Sequence, residues 1–447
     1  MNLTQQKEIE ELNAHLVENW QANTAEVEKL FDAQKELGLT FDDRATCPFL
    51  RPHFVGRELY EEIVDAAQKI ALAEETLTHA ALENDELLEF LDLTPAEKRL
   101  AKIEPGYAKV CNSSRFDTFI GNEGFKFLEY NAETPAGVGD QKPLETVLGM
   151  IPEVRKFLAE NEHWCPKPHQ KLLGSLFASY REFGGKKSKP NIAIIDWEGV
   201  STGSEFEILR DYFESNGFRT LIVDPSEVEY DGKMLRAGTF EIDILYKRVL
   251  IHEFLERCAT DHPLLKAYED GNLCMCNSFR VKIPHKKASF AILSDEKYAA
   301  MFTAQELDAI KKHIPWTRKV MECETEYDGT KVELTKFLRA ERETLLMKPN
   351  DDYGGKGIVL GWEATESEWD AAIAEALDDS FIVQKRAPIQ KHTFPVIAEK
   401  IKLEELLVDF DPFLFQNKVE GGMVRLSASS LVNVTQGGGQ TALVVLE

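Results

Sequence analysis

The stretch SSRFDTFIGNEGFKFLEYNAETPAG, residues 113–137, predicts a β-hairpin. Aromatic and β-branched residues fill both arms, as is usual for strands, and the segment GNEG at residues 121–124 is typical of a turn. A three-residue loop over residues 122–124, with Gly124 in the left-handed conformation, is a common hairpin connection. The loop sets the register of the hairpin, and the register decides which side chains share one face of the sheet.

The predicted register brings two acids together. Asp117 lies opposite Glu129 and Arg115 opposite Asn131, and strand alternation points all four side chains to one face. Like charges directly opposite each other destabilise a sheet, so this face requires a cation. Carboxylate and amide oxygens are ligands that Mg²⁺ prefers, and an arginine beside them can hold a phosphate with two hydrogen bonds. The alternative is a different register that leaves an exposed, solvated face.

The composition limits the classes of function. The chain has 447 residues, 43% of them hydrophobic, and a formal net charge of -25. Such an acidic chain is not expected to bind nucleic acid non-specifically or to adhere to an anionic membrane. No apolar run approaches ~18 residues, and the polar first residues lack a signal-peptide core. The seven cysteines are odd in number and scattered, which favours reduced thiols and a cytoplasmic location.

Hydrophobic periodicity and turn residues divide the chain into four expected regions. They are a helical region at 1–104, a unit with the hairpin at 105–185, an α/β unit at 186–280 and a strand-rich unit at 281–447. Long helical patterns run over residues 57–91 and 141–160. The first region is expected to contribute packing rather than chemistry.

The third region has the pattern of a small doubly wound α/β unit. A strand, a helix and two further strands follow one another from about residue 190, and the G-x-G-x-x-G of a dinucleotide site is absent. Such sheets bind small ligands at the carboxyl ends of their strands. The residues expected near there are Thr202, Tyr246 and Arg248, together with Glu198 and Ser204. The alternative interpretation of each is an ordinary loop residue.

A glycine loop between two apolar strands is the second sign of a phosphate site. It contains Gly354, Gly355, Lys356 and Gly357. Glycines let backbone N–H groups approach phosphate oxygens closely, and Lys348 at the end of the preceding strand adds a positive charge. This is not a Walker A loop, because G-x-x-x-x-G-K-[ST] is absent. A hairpin turn with a solvated lysine is the alternative.

These motifs resemble the circularly permuted ATP-grasp proteins, and most closely the synthetase domain of glutathionylspermidine synthase. That family has R-x-D, eleven residues, then E-x-N, and this chain has Arg115-Phe-Asp117, eleven residues, then Glu129-Tyr-Asn131. The ETPAG that follows also resembles the family. The resemblance covers about residues 105–447.

Further segments are similar to the nucleotide-binding parts of the family. Lys287 before a short helix resembles the first ATP lysine, with Lys286 as the alternative, and Lys348-Pro349 resembles the second. FIVQKRAP at residues 381–388 resembles the adenine hinge, and Arg425 the late arginine at the phosphates. The glutathione and polyamine residues of the family find no match, so substrate identity does not carry over.

The resemblance implies a circularly permuted ATP-grasp fold, α+β with an α/β part, that has a Rossmann-like (pre-ATP-grasp) lobe and a helical N-terminal addition. It implies ATP- and Mg²⁺-dependent joining of a small-molecule or peptide carboxylate to an amine through an acyl phosphate, with ADP and phosphate as products. A phosphotransferase and an ATP-binding protein without turnover are the alternatives. The glycine loop would close as a lid over the reacting groups.

Residue roles also come from the resemblance. The implied Mg²⁺ ligands are Asp117, Glu129 and Asn131, and the implied catalytic residue is Arg115. The implied ATP-binding residues are Arg115, Lys287, Lys348, Gly354, Gly355, Lys356, Gly357, Gln384, Lys385, Arg386, Ala387 and Arg425.

Overall fold

The computed structural model describes residues 3–21, 24–42, 44–430, 432 and 438–447. Its architecture is mixed, with helices packed around several sheets that border one large cleft. The predicted mixture of helices and sheets is therefore confirmed.

The largest sheet is antiparallel and contains the hairpin. Its strands lie in the order Gly439–Thr441, Lys418–Ser427, Ile401–Phe415, Ser114–Gly121 and Gly124–Asn131, and Lys391–Ile397 also pairs with Ile401–Phe415. The hairpin is therefore joined to strands that lie nearly 300 residues further along the chain. This long-range pairing places side chains from both segments on one face.

The pairing predicted for the hairpin is confirmed. Asp117 pairs with Glu129, and Arg115 pairs with Asn131. The side chains of all four residues contact one another on one face of the sheet. The acids that the sequence places opposite each other are therefore neighbours in the structure.

The turn of the hairpin differs from the prediction. Gly121 pairs with Gly124, so the loop has two residues, and the predicted three-residue loop was wrong. Gly124 has a φ of +115°, which is positive but well away from the left-handed helical value of about +57°. A β-bulge at Leu128 adds the missing residue within the second strand instead, and this restores the pairing of Asp117 with Glu129.

A second sheet is parallel. Its strands lie in the order Thr220–Val223, Ile192–Ile195, Ile244–Lys247 and Cys274–Cys276. The two central strands are buried throughout, as is typical of parallel strands covered on both faces. Along the chain, the helix Gly203–Ser215 lies between the strands Ile192–Ile195 and Thr220–Val223, in agreement with the strand–helix–strand pattern of the sequence.

A third sheet carries the glycine loop. It is antiparallel, with strands in the order Thr317–Lys319, Phe381–Lys385, Leu345–Pro349 and Val359–Leu360. The loop connects the last two strands, so the predicted strand–loop–strand arrangement is confirmed. Beside this sheet lie the hairpin Glu324–Tyr327 with Thr330–Glu333 and the helices Leu334–Ala340 and Glu366–Asp378.

The first hundred residues are largely helical, as predicted. Their helices are Leu3–Trp20, Thr24–Glu36, Arg57–Leu82, Asp85–Phe90 and Pro95–Ala101. The single helix expected over 57–91 is interrupted at Asn84, whose side chain accepts a hydrogen bond from the Glu86 N–H and starts a new helix. The helix expected over 141–160 is likewise divided, into Gln141–Leu148 and Pro152–Glu160.

The N-terminal region is tied to the end of the chain. The strand His53–Gly56 pairs in parallel with Leu443–Leu446, which also pairs with His163–Trp164. The remaining helices are Pro168–Glu182, Ile251–Arg257, Pro263–Glu269, Lys282–His285, Ala288–Leu293 and Ala304–His313, with 3₁₀ turns at Pro225–Glu227, Phe279–Val281, Glu296–Met301 and Arg342–Thr344. The remaining strands are Thr40–Phe41, Arg44–Ala45, Val228–Tyr230, Leu235–Ala237 and Phe240–Glu241.

Two simple expectations can be compared with this fold. All seven cysteines fall within the described residues, and all are free thiols. In the described part of the chain, no helix has the length and apolar character needed to cross a membrane.

One buried acid makes the stability of the fold depend on pH. Glu74 lies in the helix Arg57–Leu82 with 1% of its surface exposed, and its Oε1 accepts a hydrogen bond from Ser289 Oγ at 2.9 Å. Burial raises the pKa of Glu74 to about 8, with a smaller opposing effect of that hydrogen bond. The folded protein therefore holds a proton there that the unfolded chain releases near pH 4.5.

Glu74→Gln should make the protein more resistant to alkaline conditions. Wild-type stability falls as the pH rises from the ordinary pKa of 4.5 to about 8, because the carboxyl must ionise inside the core. Glutamine keeps the acceptor for Ser289 without that cost. Urea unfolding should show equal stabilities near the lower pH and an advantage of on the order of 3 kcal/mol for the variant at the upper one. Glu62→Gln, an exposed change on the same helix, is the control, and parallel pH profiles of wild type and Glu74→Gln would contradict the prediction.

Candidate active site

The three sheets border a cleft of about 1430 Å³. The predicted site residues that line it are Arg115, Asp117, Glu129, Asn131, Thr202, Arg248, Lys287, Lys348, Gly354, Gly355, Lys356, Gln384, Arg386, Ala387 and Arg425. Of the predicted residues, all of which are described, Gly357, Lys385 and Tyr246 are not part of the lining. Segments far apart in the sequence thus converge on one site.

Asp117 is held by two arginines and an amide. Its Oδ1 accepts hydrogen bonds from Asn131 Nδ2 at 2.7 Å and from Arg115 Nη2 at 3.0 Å, and its Oδ2 accepts one from Arg425 Nη2 at 2.8 Å. Burial on its own would raise the pKa of Asp117, but Arg425 and Arg115 hold it well below the usual 3.8. Asp117 is therefore ionised at neutral pH.

Glu129 faces two lysines. Its Oε2 lies 3.5 Å from Lys287 Nζ and 4.0 Å from Lys348 Nζ, and its Oε1 accepts a hydrogen bond from Asn131 Nδ2 at 3.3 Å. Burial and the neighbouring Asp117 act to raise the pKa of Glu129, and the two lysines lower it below its ordinary value. The repulsion expected between the hairpin acids is thus offset by protein cations.

The bulge in the hairpin also shapes this site. The backbone oxygen of Leu128 accepts hydrogen bonds from Lys348 Nζ at 3.4 Å and from Gln384 Nε2 at 3.2 Å. The residue that breaks the regular ladder therefore connects the hairpin to the two central strands of the sheet that carries the glycine loop. The Oε1 atom of Gln384 is buried and has no hydrogen-bond partner among the described residues.

Two further acids meet Arg425, and the sequence reasoning missed both. Asp409 accepts hydrogen bonds from Arg425 Nε at 3.0 Å and Nη2 at 2.7 Å, and Asp411 Oδ2 lies 2.8 Å from the same Nη2. The backbone N–H of Thr118 donates to Asp411 Oδ1 at 3.0 Å. The signal was two aspartates at alternate positions in the apolar, buried second half of the strand Ile401–Phe415.

These acids differ in protonation. Burial raises the pKa of Asp409 to about 6, although Arg425 opposes the shift. Burial also raises the pKa of Asp411 well above its ordinary value, again against Arg425 and with a contribution from Asp409. Three carboxyls share the two guanidiniums of Arg425 and Arg115, and we expect Asp411, whose pKa burial raises most, to hold a proton more readily than the other two.

The surroundings of Lys286 and Lys287 distinguish two candidate phosphate-binding lysines that the sequence left as alternatives. Lys286 forms ion pairs with Asp351 and with Glu97, the latter at 3.5 Å, and is 3% exposed. Lys287 Nζ donates to the backbone oxygen of Asp352 at 2.6 Å and lines the cleft beside Glu129. This geometry favours Lys287 as the lysine that can meet a ligand.

The glycine loop reaches across the cleft. Gly354, Gly355 and Gly357 have φ values of +66°, +75° and +68°, a backbone conformation that favours glycine. The hydroxyl of Tyr353 donates to Glu253 Oε1 at 3.0 Å, which connects the loop to the helix Ile251–Arg257.

Strand alternation divides the hinge residues. Gln384 and Arg386 line the cleft, and the guanidinium of Arg386 lies 4.2 Å from the ring centroid of Trp362. Lys385 lies between them and its Nζ is 5.1 Å from the ring centroid of Tyr327, away from the cleft. The side chains of Gln384 and Arg386 can therefore contact a ligand in the cleft, whereas Lys385 can contribute there through its backbone.

A separate acidic group has the composition of a metal site but contains a lysine. Carboxylate and ring atoms of Glu133, His285 and Asp351 all lie within 4.8 Å of one another. Lys282 Nζ lies 2.7 Å from Glu133 Oε1 and 2.6 Å from Asp351 Oδ1. The group is a buried ion-pair network that fixes the start of the glycine loop.

Comparison with known proteins supports the fold. No family model and no curated protein matches the chain. Among solved structures, a glutathione synthetase-like effector from Globodera pallida, solved in the apo form, superposes with a TM-score of 0.62 at 13% identity over 96% of this chain and 97% of that one. The chain shares its fold with this effector. A putative gamma-glutamylcysteine synthetase from Methylobacillus flagellatus gives a TM-score of 0.42 at 12% identity, covering 88% and 89% of the two chains.

Asp411→Asn should destabilise the fold less than Asp117→Asn at neutral pH. The asparagine keeps the acceptor for the Thr118 N–H, and the raised pKa of Asp411 predicts that less negative charge is lost there. Asp117→Asn removes the ionised partner of Arg115 and Arg425 and should cost about 1–3 kcal/mol. Urea unfolding compares the two variants, and infrared difference spectra should show a protonated-carboxyl band that is lost in Asp411→Asn. Equal destabilisation by both changes would contradict this assignment.

Proposed function

We propose that the protein is an ATP- and Mg²⁺-dependent ligase that joins a carboxylate to an amine. The observation that carries the proposal is the convergence of the oxygen ligands Asp117, Glu129 and Asn131 with cationic side chains in one cleft. The cations are Arg115, Lys287, Lys348 and Arg425. An acidic metal site beside several cations is what the phosphates of ATP need. The fold shared with a glutathione synthetase-like effector agrees with this proposal.

The donor set fits magnesium. The pKa values of Asp117 and Glu129 are lowered, which favours two ionised carboxylates. The Asn131 amide, whose Nδ2 donates to both, would complete an all-oxygen set for a small hard cation by turning its oxygen towards them. A magnesium ion held by these residues would supply positive charge to the phosphates of ATP. The proposal includes the circularly permuted ATP-grasp arrangement, in which the metal hairpin precedes the nucleotide lysines and the parallel sheet forms a Rossmann-like lobe.

The lysines and the arginines would have different roles at the phosphates. Lys287 and Lys348 lie beside Glu129 and would bind phosphate oxygens as point charges. Arg115, next to Asp117, would stabilise the transferring phosphoryl group and the acyl phosphate, and Arg425 would support it from the strand Lys418–Ser427, two strands away in the sheet. The substrate carboxylate attacks the γ-phosphate to give an acyl phosphate and ADP, and the amine then displaces phosphate.

Two elements would bind and shield the nucleotide. The segment from Gln384 to Ala387 would meet the adenine, with Lys385 contributing its backbone. The glycine loop, which already contacts Glu253 across the cleft through Tyr353, would exclude water from the acyl phosphate. Water exclusion matters because an acyl phosphate hydrolyses readily.

Trapping with hydroxylamine tests the reaction class. The protein is incubated with ATP, Mg²⁺ and pools of amino acids and small peptides, with hydroxylamine as a general amine. We expect ADP and a hydroxamate in equal amounts, because hydroxylamine attacks an acyl phosphate at the cleft. Mass spectrometry of the hydroxamate identifies the acid, and a reaction without ATP is the control.

Each other outcome contradicts the proposal in a different way. A phosphorylated product with ADP and no hydroxamate would indicate a phosphotransferase. AMP with pyrophosphate would indicate adenylation of the acid. ATP binding without product from any pool would favour a nucleotide-binding protein without turnover.

A further inference from the structure

The cleft continues past Arg115 into a second polar region. We call it the distal pocket and define it by Thr46, Asp140, Glu205, Arg248 and Gln440, all of which line the cleft. Each comes from a different part of the fold. Sequence reasoning proposed Arg248 as a ligand contact and did not find the others.

The distal pocket lies next to the proposed phosphate site. Arg115 Nη1 donates to the backbone oxygen of Ala136 at 3.0 Å, and Arg248 Nη1 donates to that of Pro135 at 2.7 Å. The two acceptors are consecutive residues, whose Cα atoms are about 3.8 Å apart. A small substrate can therefore extend from Arg115 into the distal pocket.

The topology of the parallel sheet also points to this place. The chain order reverses between the two central strands, Ile192–Ile195 and Ile244–Lys247. The next strand of the sheet after Ile192–Ile195 lies on the outer side of that strand, and the next one after Ile244–Lys247 lies on the outer side of the other. In open α/β sheets, ligands bind in the crevice at the carboxyl ends of the strands where the order reverses. Arg248 follows the second of these strands directly, and Asp196 follows the first, and both line the cleft.

The distal pocket has more acid than base. Glu205 Oε2 lies 3.3 Å from Arg248 Nη2, and Glu205 Oε1 accepts a hydrogen bond from the Gly139 N–H at 3.3 Å. Asp140 accepts a hydrogen bond from Gln440 Nε2 at 2.8 Å and forms no ion pair with any described residue. The one guanidinium of the distal pocket is therefore paired with Glu205, and Asp140 is left without an ion pair in the described part of the chain.

Gln440 supplies an unsatisfied acceptor. Its Nε2 donates to Asp140 and to Thr46 Oγ1, the latter at 2.9 Å, which fixes the orientation of the amide. Its Oε1 has no hydrogen-bond partner among the described residues, although the side chain is only 3% exposed. A buried acceptor without a donor is costly, so a ligand that brings a donor is favoured.

The electrostatics agree with a cationic ligand. Burial and the nearby Glu205 raise the pKa of Asp140 to about 7, and the hydrogen bond from Gln440 and the charge of Arg248 oppose this shift. Arg248 donates through its two Nη atoms to Pro135, to the hydroxyl of Tyr246 and to Glu205, and its buried Nε has no partner among the described residues. Its charge is thus paired with Glu205, whereas Asp140 makes no ion pair with a described residue. A positive group beside Asp140 would stabilise its ionised form.

We propose that the distal pocket binds a protonated primary amino group of a substrate. The three N–H donors of such a group match Asp140, Gln440 Oε1 and Thr46 Oγ1. This inference rests on the proposed ligase function, whose substrates include an amine. The group belongs either to an amine substrate or to the α-carbon of the amino acid or peptide that supplies the carboxylate.

The N-terminal region would then take part in recognition. Residues 38–41 and Thr46 line the cleft, and Ser204 Oγ donates to the backbone oxygen of Thr40 at 3.0 Å, which attaches this loop to the helix Gly203–Ser215. The loop forms the outer wall of the distal pocket. It contributes specificity rather than packing alone.

Binding measurements without turnover test the distal pocket. Saturation-transfer NMR and titration calorimetry are done on the full chain with 1,3-diaminopropane, with alaninamide, and with N-acetylalaninamide, which lacks the ammonium group. We expect at least one ammonium probe to bind and the acetylated probe not to bind. A diamine that binds in preference indicates an amine substrate, and alaninamide that binds in preference indicates an α-amino group.

Variants show whether the binding is at the distal pocket. Asp140→Asn and Gln440→Leu should each lower the affinity for the probe by about tenfold or more, because each removes an acceptor of a charged donor. Asp308→Asn, an exposed change on the helix Ala304–His313, should leave the affinity as in wild type. Unfolding curves check that each variant is folded.

The inference fails if neither ammonium probe binds, or if both pocket variants bind it as wild type does. These results are separate from the hydroxylamine trap. A hydroxamate product without binding of either ammonium probe would leave the ligase proposal intact and would contradict the proposed ammonium site in the distal pocket. Ammonium binding without a hydroxamate would keep the pocket and overturn the ligase.

Discussion

The structure depends on two like charges held face to face. Asp117 and Glu129 occupy paired positions of an antiparallel hairpin, in a half-buried place where their repulsion is poorly screened. Cations from other strands and from a helix start must therefore lie beside them. Arg425 comes from the far end of the large sheet, and Lys287 and Lys348 come from the unit with the glycine loop. Charge balance at one hairpin thus brings the main parts of the fold together.

The same balance gives the cleft its chemical character. Cations hold the pKa values of Asp117 and Glu129 below their ordinary values, whereas burial raises the pKa of Asp411 against the charge of Arg425. One compact group of side chains thus contains ionised oxygens that suit a metal and cations that suit phosphate. Further along the cleft, Asp140 lacks a cationic partner among the described residues, and the charge preference changes from anionic to cationic ligands. This order of preferences matches a substrate that carries phosphate at one end and an ammonium group at the other.

Local sequence patterns predicted what depends on local structure. The predicted pairing of Asp117 with Glu129 was correct, but it was derived from a turn one residue too long, and a bulge at Leu128 compensates for that error. The glycine loop and the α/β pattern were found for the same reason. Asp409 and Gln440 could not be assigned, because Asp409 meets the hairpin through the pairing of distant strands and Gln440 meets Asp140 through a hydrogen bond that spans 300 residues. Contacts of this kind follow from tertiary packing and leave little trace in a single sequence.

The central claim is that the hairpin acids hold a divalent metal together with the nucleotide. Electron paramagnetic resonance of Mn²⁺ with a non-hydrolysable ATP analogue measures this directly. The account predicts tight Mn²⁺ binding that requires the nucleotide in wild type, and a loss of about tenfold or more in Glu129→Gln, since a charged ligand is removed. Equal Mn²⁺ binding by both proteins would mean that these acids serve only as counter-ions to the protein's own arginines and lysines.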